Sequence, residues 1–482
     1  FVQSTHGKTH LCYEGYSYYC HHTNPDDSKY WKCVKKYCRV GVTTYANGTT
    51  KRSADHDHTP NETDKEVLNI RQNLKRKVVE SSSLIDSTLD ETYVNLQSPT
   101  LSQDLLIQLP SIATMKNNLQ KERRKTREPL PKNINDLPYP IPPNYQKNQS
   151  GEQFILYDGP IAGSRCIIFS TPSDILYLSQ SEMWYCDGTF YVCPSIFYQI
   201  YSVHGYNNDG IMASYVFCSL PGKSEELYRG MFEKLFNHMI QMNLCVRLRR
   251  VTIDFELAVA NVFIKHFPYV EVKYCLFHFG QNLFRKFQNL GTYQSASCSI
   301  IILTIASCFR LTVGIQNDEQ LRTWFRSFAA VALLPLTLMI FGFNYLMQNK
   351  PNYPQLTSFL QYFHDTYVAF SSFPPPTYNH FVNFSPPTTS HVEGRYLKWK
   401  KRSTSAHPNI YCTIDLLRQE QSLGAFSSVR DHMGAPQPKR RRNQQIAENS
   451  LQKLWQRFCE QKLDMVSFLN AAGTRYFKYL EG

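Results

Sequence analysis

Acidic residues are in short supply: 39 Asp+Glu stand against 52 Lys+Arg, a formal charge of +13. That balance favours polyanionic partners such as nucleic acid. Cysteine is too thinly spread for a disulfide framework, with 14 residues running from Cys12 to Cys459 over 482 positions. A chain this long needs no stapling, so a reducing compartment and metal or core roles are expected. The acceptors Asn47-Gly-Thr and Asn61-Glu-Thr are then expected to be chance matches to the glycosylation pattern. Long apolar runs are missing with one exception, FAAVALLPLTLMIFGFNYLM at residues 328–347. Pro335 interrupts it and Arg322 and Arg326 precede it, so two buried helices meeting at the proline are expected, not a membrane span. No internal repeat is visible.

What is present divides the chain into six segments. Residues 1–60 are dense in Tyr, His and Cys, with alternating runs such as YSYYC and GVTTY that read as strands of a small metal-dependent β unit. Residues 61–150 read as a basic helical connector ending in a linker, PLPKNINDLPYPIPPNYQ, too proline-rich for helix. In residues 151–290 a strand pair, FILYDG and RCIIFST, leads into the runs MWYCDGTFYV, FYQIYSVHGY and IMASYVFCSL. Then come the helix SEELYRGMFEKLFNHMIQM, the strand RRVTIDF, the helix ELAVANVFIKHF, the strand VEVKYCLF and the helix FGQNLFRKFQNL. Three hairpin-linked strands followed by alternating helices and strands predict a mixed five-stranded sheet flanked by helices, the ribonuclease-H-like arrangement of an α+β/α/β chain. Residues 291–365 carry no strand signal and read as an all-helical insertion. Residues 366–425 return to the core through a Pro-rich loop and SHVEGRYLKWKKR, and residues 426–482 hold a basic loop and C-terminal helices.

Two acids stand out by position. Asp187 lies in the first of the three hairpin-linked strands and Asp254 ends the fourth strand of that order, and those strands are neighbours in the expected sheet. Carboxylates so placed can share Mg²⁺ or Mn²⁺, and a pair of such ions can activate a water or a 3′-hydroxyl and stabilise the leaving oxygen of a phosphodiester. A third carboxylate is needed, and spacing alone leaves Glu256 and Glu393 open. Basic residues crowd the second candidate: Arg395, Lys398, Lys400, Lys401 and Arg402, as a site handling phosphate backbone would have. Cys275 and His278 form a Cys-x-x-His pair with no second pair nearby, which does not make a zinc site on spacing alone.

At the N-terminus, Cys33-x4-Cys38 followed by His56-x-His58 offers two thiolates and two imidazoles suited to tetrahedral Zn²⁺. The competing ligands are Cys12, Cys20, His21 and His22. The two cysteines are expected to face the small sheet's interior and the two histidines the surface. Lys29, Lys32, Lys35, Lys36, Arg39, Lys51 and Arg52 surround the ligand pairs and suit phosphate contact. The run PKRRR at 438–442 reads as an import signal or a further backbone contact.

These motifs carry two resemblances. CDGTF, PSIFYQIYSVHG, TIDFELAVANV, YCLFHF, TTSHVEGRY and AHPNIYCTIDLL, over residues 150–425, look like the transposase domain of Mutator-like elements. The resemblance implies a DDE-type DNA transposase with Asp187, Asp254 and Glu393 as a Mg²⁺/Mn²⁺ triad, residues 291–365 as an insertion domain, and Cys275 and His278 shaping the pocket or touching DNA. The chain departs from that pattern at Ser390-His391, where Asn-Asn is common, and at Tyr396, where a His is common. Phe1, Leu11, Tyr18, Trp31, Cys33 and His58 resemble in order the letters of the FLYWCH-type zinc finger, which implies Cys33, Cys38, His56 and His58 as zinc ligands. Together they imply a nuclear protein that binds double-stranded DNA and assembles as a homodimer or larger, without a membrane. A domesticated, non-cutting DNA-binding or chromatin factor is the alternative.

Overall fold

The structure is a computed structural model that describes residues 1–3, 8–61, 63–80, 85–95, 103–126, 128–206, 212–290, 319–368, 371–383, 390–403, 405–435 and 442–481. Two compact units result, Phe1–Pro129 and Leu130–Gly482.

The first unit opens with a meander: β1 (Val2–Gln3), β2 (Thr9–Tyr13), β3 (Tyr16–Thr23), β4 (Lys29–Cys33), β5 (Gly41–Thr44) and β6 (Thr50–Arg52), each hydrogen-bonded to the next. All pairings are antiparallel. The β2–β3 turn places Glu14 (φ 49°) and Gly15 (φ 76°) in the left-handed region, the geometry of a two-residue hairpin. Its core is small: Leu11, Tyr18, Trp31, Cys33, Val40 and Val42. Too little area is buried there for a unit of this size to stand on packing alone. Cys12 is half-buried and Cys20 exposed, so the expectation that both face the interior fails at Cys20, which sits where β3 bulges against β4. Helices α1 (Thr63–Glu80), α2 (Ile85–Asn95), α3 (Gln103–Gln108) and α4 (Ile112–Thr126) follow, with Leu74, Val78, Ile85, Leu89, Met115 and Leu119 as a core of their own.

In the second unit, residues 130–146 correct the linker reading. Leu137 and Ile141 are buried, and the Arg165 guanidinium donates to the carbonyls of Leu137 (2.6 Å) and Pro138 (2.7 Å). Asp158 holds that guanidinium at 2.8 Å. Proline cannot continue a ladder, but its carbonyls still need donors, and one forked side chain supplies them.

The sheet is built from β7 (Ile155–Ile161), β8 (Ser164–Phe169), β9 (Met183–Thr189), β10 (Gln199–Tyr206), β11 (Met212–Leu220), β12 (Arg250–Ile253) and β13 (Glu271–Tyr274) in the order β13-β12-β9-β10-β11-β8-β7. It has seven strands, not the expected five. The β7–β8 hairpin extends the sheet because β8 pairs with β11 through Ile167, Ile168 and Phe169. The rest of the expected order holds: three antiparallel strands, α6 (Glu225–Gln241), β12, α7 (Leu257–His266), β13 and α8 (Leu276–Asn289), with β12 parallel to both its neighbours. One helix was not anticipated, α5 (Pro172–Gln180), entered through a capping box in which Thr171 and Asp174 bond each other's backbone.

Strand alternation sends residues to two cores. Cys166, Ile168, Val216 and Cys218 join α6, α7, α8 and the later helices, while Ile167, Phe169 and Phe217 join Trp399, Ile410, Ile414 and Leu417 on the other face. The apolar run at 328–347 resolves into the helix Glu319–Val331, a turn at Pro335 and the helix Met339–Gln348. Among the described residues no helix is long and apolar enough to cross a membrane. The helix Met465–Glu481 packs along Glu319–Val331 so closely that a Cβ at Gly473 would lie 2.6 Å from the Arg326 carbonyl oxygen.

Two measurements follow from this packing. Gly473→Ala forces those helices apart and is expected to cost about 1–3 kcal/mol, read as a lower melting temperature; an unchanged value contradicts the contact. Burial raises the Asp174 carboxyl from 3.8 to about 6, against hydrogen bonds from Thr171 and Gln421 that lower it. The folded chain therefore binds this proton more tightly than the unfolded one, so the contribution is greatest below about pH 4 and is lost as pH rises through 6. Asp174→Asn is expected to flatten that loss, about 2–3 kcal/mol, in urea titrations between pH 4 and 7; parallel profiles for the two chains would refute it.

Candidate metal centres

The finger site assembles where β4 ends. Cys33 closes β4, Cys38 follows on a short knuckle, and the segment after β6 returns His56 and His58. Cys33 Sγ lies 3.4 Å from His58 Nε2, Cys38 Sγ 3.3 Å from His56 Nδ1, and the two histidine nitrogens 3.2 Å apart. Tetrahedral zinc with its usual bond lengths requires edges of about 3.6 Å between sulfur and nitrogen and about 3.4 Å between nitrogens. Among the described residues these four make the one group of three or more His, Cys, Asp or Glu ligand atoms lying within 4.8 Å of one another.

The surroundings fix which nitrogen each ring offers. His56 turns Nε2 to the Tyr18 hydroxyl at 2.7 Å and Nδ1 to the cluster, and with Nδ1 as the ligand atom Nε2 is the nitrogen that would carry the proton and donate to Tyr18. His58 donates from Nδ1 to the Thr59 carbonyl at 3.2 Å, which leaves Nε2 as the ligand atom. Burial pushes the Tyr18 hydroxyl up to about 12, keeping it neutral beside the imidazole. Tyr16 stacks on His56 at 3.6 Å, and the Lys35 amide donates to Cys33 Sγ at 3.5 Å. Tyr18 was passed over as a site residue in the sequence; its place opposite Cys33 in the β3–β4 register is what puts it there. Lys29, Lys35, Lys36, Arg39 and Lys51 are exposed around the site. Arg52 is not available in the same way, being paired with Glu14 (2.7 Å) and Asp55 (2.5 Å).

The second site lies on the sheet. The parallel register pairs Thr252 of β12 with Tyr185 of β9, and two residues further along each strand come Asp254 and Asp187, level with one another. Both carboxylates line one small pocket with Gly188, Tyr201, Lys223 and Glu256. Asp187 is largely buried and accepts the Gly188 amide at 2.7 Å; Asp254 accepts the Phe255 amide at 2.6 Å. Glu256, one of the two candidate third acids, reaches the same pocket. It accepts the Tyr228 hydroxyl at 2.9 Å and faces the Lys223 ammonium at 3.4 Å, and Tyr228 in turn accepts Gln199 Nε2 at 2.7 Å. Three carboxylates against one ammonium give a site that attracts cations, and its oxygen donors suit hard divalent ions.

Cys275 is buried at the start of α8, and its amide donates to the Ile253 carbonyl at 2.8 Å. That bond stitches β13 to the strand end carrying Asp254. One turn on, His278 Nδ1 lies 3.4 Å from Asp254 Oδ1. The Cys-x-x-His pair thus stands beside the acids and outside any zinc cluster among the described residues.

Glu393 falls on the helix Ser390–Arg402, and its side chain, like those of Ser390 and His391, lies outside the described residues. Around it, Arg395 does not project as a free phosphate contact. It makes an ion pair of 2.7 Å with Glu420, whose side chain is 4 % exposed, and donates to the Met212 carbonyl. Lys400 lies over the Tyr191 ring at 4.8 Å. Lys398 and Lys401 are exposed. Most of the basic run at 438–442 lies outside the described residues.

A four-ligand Cys/His module and a mixed sheet bearing an acidic pocket are the two halves of this chain. Residues 1–59 match the FLYWCH zinc finger domain and residues 183–282 match the MULE transposase domain, so the chain carries both, in that order. No curated protein matches it. Asp187, Asp254, Cys275 and His278 lie inside the matched transposase segment and Glu393 lies beyond it.

Zinc bound at the first site supplies folding free energy that the small core lacks. Cys38→Ser is expected to abolish the one zinc per chain measured by elemental analysis, and Tyr18→Phe to weaken zinc about tenfold in chelator competition. Full zinc content in Cys38→Ser would contradict the ligand set.

Proposed function

We propose that this chain is a DNA transposase of the DDE type, with the sheet of the second unit forming a ribonuclease-H-like catalytic core. The observation that carries the reading is that Asp187 and Asp254 sit level on adjoining parallel strands at one pocket inside the matched transposase segment. Glu393 completes the set, delivered by the helix Ser390–Arg402. Two Mg²⁺ or Mn²⁺ ions held by these acids would supply an activated water or 3′-hydroxyl and stabilise the departing oxygen. The chain's own residues then have separable tasks. The carboxylates would hold the ions, and His278, 3.4 Å from Asp254 in the first turn of α8, would orient that carboxylate.

The substrate is double-stranded DNA, cut at element ends and joined to a target by direct attack on phosphodiesters. The exposed lysines of the finger supply backbone contacts, a role that fits their position around the zinc ligands and the overall charge. The chain acts in the nucleus and pairs two element ends as a homodimer or larger assembly.

A nicking assay on terminal-repeat DNA tests this. Wild type is expected to cut with Mg²⁺ or Mn²⁺ and not with EDTA, and Asp187→Asn to lose cutting while retaining duplex binding. Equal cutting by the two chains sinks the enzymatic reading, and duplex binding without any metal-dependent cutting by wild type leaves a DNA-binding factor in its place.

A further inference from the structure

We infer that Tyr396 is a positioning residue for the acidic pocket, locking the helix Ser390–Arg402 onto the strand end that carries Asp187 through a chain of four hydrogen bonds. The inference rests on the reading of that pocket as a divalent-metal site.

The chain of bonds begins inside the sheet. Ser214 of β11 stands opposite His204 of β10 in the ladder, and Ser202 of β10 stands opposite Asp187 of β9. Ser214 Oγ lies 2.8 Å from His204 Nδ1, and His204 Nε2 lies 2.7 Å from Ser202 Oγ. Ser202 Oγ lies 2.7 Å from Tyr396 Oη, and Tyr396 donates to the main-chain carbonyl of Asp187 at 2.8 Å. Ser202, His204 and Ser214 are buried to within 1 %.

Tyr396 donates to the Asp187 carbonyl, which also accepts the Ser202 hydroxyl at 3.3 Å. With Tyr396 donating there, the arrangement that serves every group shares the Ser202 proton between that carbonyl and Tyr396 Oη, with His204 donating to Ser202 from Nε2 and Ser214 donating to Nδ1. Burial, with the Arg395 guanidinium nearby, holds His204 well below its ordinary range, so the imidazole is neutral and has the single N–H this arrangement needs. Each polar group in a buried network of this kind is satisfied only while all are.

The mechanical consequence concerns the helix. Tyr396 ties the helix Ser390–Arg402 to the strand bearing Asp187 by hydrogen bond, while Val392, clustered with Tyr185 of that strand, and Trp399 bury their side chains on either side of it along the same face. Arg395 fixes the same helix to Glu420. Glu393 is three residues before Tyr396, about 60° round the helix axis. The Tyr396 bond therefore sets the height and rotation of the backbone bearing Glu393 relative to Asp187. A phenyl ring in place of the phenol would still fill the space beside Trp399 but would free the helix from Ser202 and from the Asp187 carbonyl, which keeps the Ser202 hydroxyl at 3.3 Å.

The test is Mn²⁺ binding to the full chain with its finger already loaded with zinc, followed by electron paramagnetic resonance of free Mn²⁺. Tyr396→Phe is expected to weaken Mn²⁺ about tenfold, as loss of a partner that orients metal ligands does elsewhere. Thr413→Val, which removes a buried bond to the Val192 carbonyl away from the pocket, is the control for general loosening and is expected to bind Mn²⁺ as wild type does. Mn²⁺ affinity in Tyr396→Phe equal to that of wild type or of Thr413→Val overturns the positioning role, provided Asp187→Asn binds weakly. If Asp187→Asn binds as tightly as wild type, the metal reading of the pocket falls and this inference falls with it.

Discussion

The parallel pairing of β12 with β9 is the constraint on which the acidic pocket of the second unit depends. Those strands are far apart in sequence, and the crossover through β10, β11 and α6 brings them side by side. Parallel pairing puts both strand ends at the same edge, so residues two steps past a register pair, Asp187 and Asp254, emerge together. An antiparallel pairing would send them to opposite edges. What surrounds the pair follows from the same placement: β13 pairs parallel with β12 in turn, which carries Cys275 and His278 to the same edge. The first turn of α7 begins there too, and brings Glu256.

The two candidate metal centres reach order by different physics. The acidic pocket is imposed by a sheet with cores on both faces, so its geometry is pre-set by packing and survives as a cation-attracting cavity. The finger has a six-residue core and a ligand set whose rings are already turned by Tyr18 and Thr59 to present the correct nitrogens. There the metal and the fold stabilise each other, whereas in the sheet the fold comes first.

Much of this was legible in the sequence, for physical reasons that differ by element. The candidate finger ligands were readable in part because thiolate and imidazole pairs at finger spacing suit zinc, and it was the FLYWCH resemblance that chose them over Cys12, Cys20, His21 and His22. The order of β9, β10, β11, α6, β12, α7, β13 and α8 was readable from period-2 and period-3.6 apolar patterns broken by turn residues. The split of the apolar run at Pro335 was readable from what proline forbids. Other features turned on partners that no local pattern names. The packing of residues 130–146 depends on Arg165, and the seventh and sixth strands depend on β8 finding β11. Arg395 looked like a phosphate contact because Glu420, distant in sequence, could not be foreseen as its partner. Tyr228 beneath Glu256 and Ser202 beneath Tyr396 are of the same kind. Helix α5 is the exception: Thr171-Pro-Ser-Asp174 is a start signal that local reading could have caught.

If Asp187 and Asp254 share a divalent cation, anomalous diffraction at the manganese edge, from crystals of the zinc-loaded chain grown with Mn²⁺, will show a manganese peak between these two carboxylates and none at the finger. A map with no manganese at the Asp187–Asp254 edge, from crystals whose finger zinc is clearly seen, would contradict it.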